Sequence, residues 1–184
     1  MRKTQKKSRL ALRPLPPHPR AMTRIQAWTD GGCRGNPGIG AWAFVIVDTD
    51  NGKALQRAAG ELLTTNNRME MMAAIETLRS LQQPSEVLIH SDSKYLIDCC
   101  SSWMKGWKRN GWKRKGGELK NVDLLKILDE LLVKHQVSWQ WVKGHSGDVG
   151  NDYVDGNLNT VMDFIAKGDK DYTIDSRLNW PPKC

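Results

Sequence analysis

The chain has 184 residues and a formal net charge of +8; hydrophobic residues make up 39% and charged residues 26% of it. This length suits one domain with a sizeable core, and the composition excludes an intrinsically disordered protein. No apolar run approaches the roughly 18 residues that a membrane-spanning helix requires, so the sequence predicts no membrane partner.

The predicted elements begin after an extension at residues 1–21. Four prolines within residues 14–19, together with seven basic and no acidic side chains, predict an extended or disordered segment without a secretory signal. Met22 is an alternative candidate for the start of the protein. The predicted elements are strands at 25–29, 41–47 and 53–62, a helix from about 67, a strand at 87–91, helical segments over 94–109, a helix at 122–135, a strand at 137–142 and a helix at 151–166.

This order of elements predicts an α/β fold, with a mixed five-stranded sheet and helices packed on both faces. The folded domain is expected to span residues 22–167. Residues 168–184 show no clear periodicity and are expected to form an irregular C-terminal tail. The glycines between residues 31 and 40 are expected to form a turn after the first strand.

Positive charge is concentrated in two places, residues 1–21 and residues 105–120, each with seven basic side chains. The remaining residues hold 14 basic and 19 acidic side chains, a net charge of −5. Basic patches of this kind can bind a polyanion, and the acidic remainder of the chain can bind metal ions. A solvated surface with a disordered tail explains the same pattern, and charge alone slightly favours it.

The four cysteines, at positions 33, 99, 100 and 184, form no CxxC pair and show no repeated spacing. This pattern argues against a zinc ribbon and against a disulfide framework. The sequence therefore predicts a protein of the reducing cytoplasm.

Four carboxylates occupy positions from which their side chains could converge at one edge of the predicted sheet. Asp30 and Asp92 each end a predicted strand, Glu70 lies in the first turn of a helix, and Asp155 lies near the start of the last helix. Ligands of open α/β sheets bind beyond the carboxyl ends of strands. Carboxylates about 4 Å apart repel by roughly 4 kcal/mol per pair at an effective dielectric near 20, so such a cluster needs cations or protons. Oxygen ligands of this kind favour Mg²⁺ or Mn²⁺.

Each carboxylate also has a structural explanation, and for any one of them alone that explanation is preferred. Asp30 can open a glycine turn, and Asp92 can cap the helix that follows it. Asn67 and Glu70 have the spacing of a capping box, and Asp155 can be a solvated surface acid. Spacing by itself does not decide between these interpretations.

Four segments resemble the motifs of type 1 ribonucleases H, in the order in which that family has them. They are TDGGCRGNPG at 29–38, TTNNRME at 64–70, SDSKY at 91–95, and WQWVKGHSG at 139–147 followed by Asn151 and Asp155. A basic, tryptophan-rich run over residues 103–124 is similar to the protrusion of the bacterial enzymes. The resemblance extends from about residue 22 to 166, and several long motifs in one order are more specific than one short pattern.

The resemblance implies a ribonuclease H-like fold with a basic protrusion, and an endonuclease that hydrolyses the RNA strand of RNA–DNA hybrids. By similarity, the ligands of two Mg²⁺ ions, with Mn²⁺ as a substitute, are Asp30, Glu70, Asp92 and Asp155. His145 resembles the family's mobile-loop histidine, which is thought to help activate water or release product. The implied products carry a 5′-phosphate and a 3′-hydroxyl. The resemblance also implies a monomer without an obligate protein partner.

The resemblance further implies a substrate surface. The residues that would line a groove for the 2′-hydroxyls of the RNA strand are Cys33, Asn36, Asn66 and Asn67, with Lys94 adding charge nearby. Thr65 would belong to a phosphate pocket for the DNA strand. The residues of the protrusion that would contact the same strand are Trp103, Trp107, Lys108, Arg109, Trp112 and Lys113. Core packing is the preferred interpretation of Trp103, whereas for Trp107 and Trp112 stacking and core packing both stay open.

The chain departs from the family pattern after Asp155, where residues 156–160 read GNLNT instead of an acidic residue followed by a Leu-Ala pair. Gly156 and Asn159 weaken a helix, so Asp155 is expected to be the most loosely oriented of the four carboxylates. Residues 1–21 lack the aromatic pattern of the hybrid-binding domain found in some relatives. Rival interpretations are a non-catalytic nucleic-acid-binding module, a partner-binding protein, and other nucleases of the same fold. The full acid set argues against the first two, and the tryptophan-rich protrusion and the GHSG segment against the third.

Overall fold

One sheet combines antiparallel hairpins with parallel crossovers. The computed structural model describes residues 22–182, so the predicted extension at 1–21 lies outside the described residues. The strands are β1 Thr23–Arg34, β2 Gly38–Asp48, β3 Lys53–Thr64, β4 Ser85–Ser91, β5 Gln136–Trp141 and β6 Ile174–Asn179. The α-helices are α1 Asn66–Arg79, α2 Lys94–Asp98, α3 Met104–Arg109, α4 Val122–Lys134 and α5 Val149–Ala166, with a π-helical turn, Cys99–Trp103, between α2 and α3.

The strand order is β5-β4-β1-β2-β3-β6. β1, β4 and β5 are parallel to one another, whereas β1, β2, β3 and β6 pair antiparallel. The mixed α/β sheet that the sequence predicts is confirmed. Because β1 and β4 are parallel neighbours, their carboxyl ends meet at the same edge of the sheet.

The helices cover the two faces of the sheet and bury two apolar clusters. α1 and α4 pack on one face, where Ile75 and Leu125 lie in a cluster with Ala27 and Phe44 from the strands. α5 packs on the other face through Val154 and its neighbours. In α4, inward-facing leucines recur at the spacing that the periodicity predicts, and all are at least 93% buried: Leu124, Leu125, Leu128 and Leu131. Among residues 22–182, no helix is long and apolar enough to cross a bilayer.

Within residues 22–182 the sheet has six strands, one more than the five predicted. The expected irregular tail contains β6, which pairs with β3 from Lys53↔Asn179 to Ala58↔Ile174. The sequence pattern did not predict this strand because it lies at a sheet edge, where the hydrogen bonds come from the neighbouring backbone and few apolar side chains are required. After β6, the ring of Trp180 stacks on Trp28 at 5.3 Å between centroids.

The first strand is longer than predicted and passes through the first two of the expected turn glycines. β1 continues to Arg34, and the chain reverses only over residues 35–37. The helix predicted at 151–166 is confirmed as α5, which runs without interruption through the helix-weakening residues Gly156 and Asn159. Packing of Val154, Leu158 and Val161 against the sheet offsets the low helix propensity of the two weak positions.

Candidate active site

Three carboxylates from three different elements converge beside the carboxyl ends of β1 and β4. Asp30 lies in β1, Asp92 follows directly after β4, and Glu70 is the fifth residue of α1. One oxygen of each of these side chains lies within 4.8 Å of the others. Asp30 and Glu70 are buried, whereas Asp92 is half-buried. This is the spacing at which one divalent cation can bridge several carboxylates.

The glycine next to Asp30 makes this convergence possible. A Cβ atom at Gly31 would lie 2.2 Å from the backbone nitrogen of Glu70, so α1 can approach β1 this closely only where a side chain is absent. The backbone N–H of Gly31 also donates a hydrogen bond to Asp30 Oδ1 at 2.8 Å. Gly31 therefore brings the two carboxylates together and orients one of them.

Burial raises the pKa values of all three carboxyl groups, and nearby acidic charges add to the effect. Burial, followed by the charges of Asp92 and Asp155, raises the pKa of Asp30 to about 8. Burial and then the charge of Asp30 raise the pKa of Glu70 well above its usual value, and burial raises the pKa of Asp92. Glu70 Oε2 is buried without a hydrogen-bond partner. A buried acceptor in an anionic cluster fits a cation, since either a cation or a proton must offset the charge.

Asp155 and His145 border the same groove, whose volume is about 410 Å³. Asp155 lies on α5, outside the group of three, and its Oδ2 is 3.8 Å from His145 Nδ1. The side chain of His145 is 79% exposed. The loop that carries it rests against the cluster, because a Cβ at Gly144 would lie 2.5 Å from Asp92 Oδ2.

The structural explanations considered for Asp30, Glu70 and Asp92 do not hold in the folded chain. No side chain caps α1, whose N-cap residue is Thr65, and Glu70 faces Asp30 instead of closing a capping box. Ser93, and not Asp92, caps α2, because its Oγ accepts a hydrogen bond from the backbone N–H of Leu96 at 3.2 Å. Asp30 lies within β1, four residues before its end.

Of the residues expected to contact the RNA strand, two line the groove and the others lie next to them in the chain or in contact with them. The turn after β1 meets the start of α1, where the backbone N–H of Asn66 donates to Asn36 Oδ1 at 3.3 Å. Cys33 Sγ donates to the backbone oxygen of Thr64 at 3.3 Å, and also to that of Gly35. Cys33 and Asn66 line the groove itself. Asn67 and Thr65 are adjacent at the start of α1, and Asn36, Asn66 and Asn67 are exposed.

On the other side of the cluster, Lys94 at the start of α2 stands over the ring of Trp141, with Nζ 4.7 Å from the ring centroid. Trp141 Nε1 donates to the backbone oxygen of Asp92 at 3.2 Å. Lys94 was expected to contribute charge near the substrate, but its contact with Trp141 was not predicted, since residues 47 positions apart share no local sequence pattern.

The protrusion places its three tryptophans differently. Trp107 and Trp112 are half-buried against the main core, whereas Trp103 is 44% exposed, so the preferred core interpretation of Trp103 was wrong. The neighbouring Met104 occupies the inward direction, and adjacent helical residues point about 100° apart. The rings of Trp103 and Trp107 lie 5.7 Å apart.

Basic side chains of the protrusion face solvent beside these rings. Lys108 Nζ binds Asp129 Oδ2 of α4 at 2.6 Å. Arg109 and Lys113 are exposed. A surface that combines exposed cations with an exposed indole ring suits a nucleic-acid backbone.

Two residues of the groove were missed as functional candidates. Arg34 and Asn159 line it next to Asp155. Arg34 lies inside the first motif but was assigned no role, and Asn159 was interpreted only as a helix-weakening residue. The contact between them joins the end of β1 to the middle of α5. Because these segments are far apart in the chain, no local sequence pattern predicts it.

Comparison with known proteins agrees with this arrangement. The sequence model of the family described as RNase H matches residues 22–161. The "Ribonuclease H" of Ralstonia nicotianae is 47% identical over 147 residues, which cover 79% of this chain and 96% of that protein.

Solved structures are similar as well. LC9-RNase H1, described as a type 1 RNase H with the type 2 active-site motif, superposes with a TM-score of 0.74 at 27% identity, covering 86% of this chain and 80% of that one. LC11-RNase H1, solved in complex with an RNA/DNA hybrid, matches with a TM-score of 0.60 at 24% identity over 77% and 99% of the two chains, which supports the fold alone. With its sequence motifs, its sheet and its acidic cluster in agreement, the chain belongs to the RNase H family and is an endoribonuclease.

Proposed function

We propose that this protein is a metal-dependent endonuclease that hydrolyses the RNA strand of RNA–DNA hybrids and leaves 5′-phosphate and 3′-hydroxyl ends. The observation that carries the proposal is the convergence of Asp30, Glu70 and Asp92 within 4.8 Å in a groove that Asp155 and His145 also line. Family membership supports the RNA substrate. A solved protein of the same fold that holds an RNA/DNA hybrid supports the choice of duplex.

The four carboxylates are proposed to hold two Mg²⁺ ions, for which Mn²⁺ can substitute. The donor set fits, because it consists of carboxylate oxygens, and Glu70 Oε2 is buried with its hydrogen-bonding capacity unused. When bound, the ions lower the pKa of the attacking water and stabilise the leaving oxygen. The buried Asp30 and Glu70 would hold the ions together with the partly exposed Asp92 and Asp155.

His145 is proposed to transfer protons at the open side of the groove, or to assist product release. Its imidazole approaches Asp155 at 3.8 Å while remaining largely exposed, so it can exchange protons with solvent. The loop that carries it turns through left-handed backbone conformations at His145 (φ 52°) and Gly147 (φ 86°). This loop therefore holds an exposed imidazole beside Asp155, which supports the proposed role.

Discrimination of RNA from DNA is assigned to the groove beside the cluster. Cys33 and Asn66 line this groove, the exposed Asn36 contacts Asn66, and the exposed Asn67 follows Asn66 in the chain. Their amide and backbone groups can hydrogen-bond to 2′-hydroxyls. Lys94 is proposed to add charge on the opposite side of the cluster. We place the DNA strand against Thr65 and the protrusion, where Trp103 offers an exposed ring.

A cleavage assay with three labelled duplexes tests this function. RNA–DNA hybrid, RNA duplex and DNA duplex are each incubated with Mg²⁺, Mn²⁺ or EDTA, and the product ends are tested for a 5′-phosphate and an extendable 3′-hydroxyl. We expect cleavage of the RNA strand of the hybrid alone, and only with a divalent cation. Cleavage in EDTA would contradict the metal requirement, and equal cleavage of the RNA duplex would contradict the hybrid specificity.

We further propose a monomer that acts in the reducing cytoplasm. The three cysteines between residues 22 and 182 are free thiols, and two of them, Cys99 and Cys100, have pKa values that burial raises. Buried thiols of this kind are inert. Light scattering coupled to size-exclusion chromatography, run with and without reductant, is expected to give the monomer mass under both conditions.

A further inference from the structure

We propose that Asn159 and Arg34 are positioning residues that orient Asp155 for metal binding, an inference that rests on the proposed function. Asp155 is the one carboxylate of the four that lies outside the group of three, and 29% of its side chain is exposed. An exposed carboxylate that must present one chosen oxygen needs partners that hold its rotamer. The structure offers such partners on α5 and at the end of β1.

Asn159 lies one helical turn after Asp155 and binds it directly. Its Nδ2 donates to Asp155 Oδ1 at 3.1 Å and to the backbone oxygen of Asp155 at 2.9 Å. Asp155 Oδ2 then points toward His145 Nδ1, at 3.8 Å. The amide is neutral, so it orients the carboxylate without neutralising the charge that a cation requires.

Arg34 sets the orientation of the Asn159 amide. Its guanidinium donates to Asn159 Oδ1 at 3.4 Å and to the backbone oxygen of Asn159 at 3.3 Å. A side-chain amide has an acceptor oxygen at one end and a donor nitrogen at the other. With a guanidinium against its oxygen, the amide must present its nitrogen to Asp155. Without that donor, the amide can rotate and present its oxygen to the carboxylate, which is repulsive.

Asp163 completes the chain of contacts by binding Arg34 at 2.6 Å. The two side chains of this ion pair are 43% and 55% exposed, so the pair contributes little to stability. Its effect is to direct the Arg34 guanidinium toward Asn159. The series of contacts Asp163–Arg34–Asn159–Asp155 therefore joins the end of the strand that carries Asp30 to the helix that carries Asp155.

The test compares the full chain with Asn159→Ala, Arg34→Met and the double variant, with Arg24→Met as the matched control. Arg24 is an exposed arginine of the same strand that pairs with Glu86 at 3.8 Å, away from the groove. Mn²⁺ binding is measured by calorimetry without substrate, and Mg²⁺ activation curves are measured with the hybrid. Thermal melting of each variant establishes that it is folded.

Loss of a group that orients a metal ligand typically costs tenfold or more in metal affinity. We therefore expect Asn159→Ala and Arg34→Met each to weaken Mn²⁺ binding and to raise the Mg²⁺ concentration for half-maximal rate about tenfold. The KM for the hybrid at saturating Mg²⁺ should change less than twofold. Because Arg34 acts through Asn159, adding Arg34→Met to Asn159→Ala should have almost no further effect.

Three results would overturn the inference. Unchanged metal dependence in Asn159→Ala would show that Asp155 needs no such partner. A raised KM with an unchanged Mg²⁺ curve in Arg34→Met would show that Arg34 contacts the nucleic acid directly. Effects that multiply in the double variant would show that the two residues act separately. Failure of the proposed function is distinguishable, because it would leave the unmodified chain unable to cut the hybrid while the Mn²⁺ titrations still compare the variants.

Discussion

Asp30 is the residue whose replacement tests the catalytic assignment most directly. Its carboxylate lies in the cluster, and its Oδ1 accepts a hydrogen bond from Gly31 that an asparagine oxygen can also accept. Asp30→Asn should therefore keep the local geometry while removing a charged metal ligand. We expect hybrid cleavage in Mg²⁺ to fall at least about a hundredfold, because even outer residues of metal sites contribute up to that factor. Hybrid affinity in EDTA should stay unchanged, and undiminished turnover would remove Asp30 from the site.

A second prediction at the residue scale concerns stability in the absence of metal. Because the pKa of Asp30 rises from 3.8 to about 8 on folding, the folded chain retains a proton that the unfolded chain has released between these values. The folded state therefore binds more protons across this window, and the contribution of Asp30 to stability decreases as the pH rises from about 4 to 8.

Denaturant unfolding in EDTA at pH 6 and pH 8 measures this contribution. We expect the free energy of unfolding to be lower at pH 8, by up to about 1.4 kcal/mol per pH unit for one retained proton. Asp30→Asn should flatten this dependence, and Mg²⁺ should restore stability at pH 8. The same pH dependence in Asp30→Asn would assign the effect to other groups.

At the scale of elements, β6 and the residue after it fasten the C-terminal segment to the sheet. Trp180 stacks on Trp28, meets Tyr153 of α5 edge-on at 5.5 Å, and donates its backbone N–H to the backbone oxygen of Gly52 at 2.9 Å. Trp28 in turn lies against the start of α5, where a Cβ at Gly150 would be 2.3 Å from its ring. The C-terminal segment therefore packs on the same residues that seat the helix of Asp155.

Trp180→Ala should destabilise the protein by about 2 kcal/mol, less than a fully buried tryptophan would lose, since Trp180 is half-buried. Asn179→Ala, an exposed change in the adjacent strand position, serves as the control and should be nearly neutral. Thermal and denaturant unfolding measure both variants. An unchanged melting temperature in Trp180→Ala would mean that β6 does not need this aromatic contact.

At the scale of the whole molecule, the uneven distribution of basic residues predicts how strongly the binding of a polyanion depends on salt concentration. Deleting residues 1–21 removes seven basic side chains. The plot of log binding constant against log salt concentration should then have a shallower slope, by about 0.7–0.9 for each phosphate that the shortened chain no longer neutralises. Cleavage at low salt should persist. A variant of full length with the seven basic residues replaced by glutamine should match the deletion. An unchanged slope would mean that this segment binds no phosphates.

The sequence by itself determined the helices with strong apolar periodicity and the mixed sheet, and it singled out the acidic residues only through the family resemblance. The leucines of α4 and the inward face of α1 follow directly from a 3.6-residue repeat, because that spacing can be buried only as a helix. The family resemblance rests on four segments in one order, and the matched region bears it out. Patterns of this kind depend only on residues that are close together in the chain, so the sequence is sufficient to predict them.

Only the tertiary structure decided which atoms meet. It placed Glu70 against Asp30 instead of in a capping box, since the missing side chain at Gly31 lets a distant helix approach. It turned Trp103 to solvent, added β6 to the sheet edge, and set Asn159 between Arg34 and Asp155. These outcomes depend on contacts between residues far apart in the chain, whose energies are set by packing and hydrogen bonding that no local sequence pattern contains.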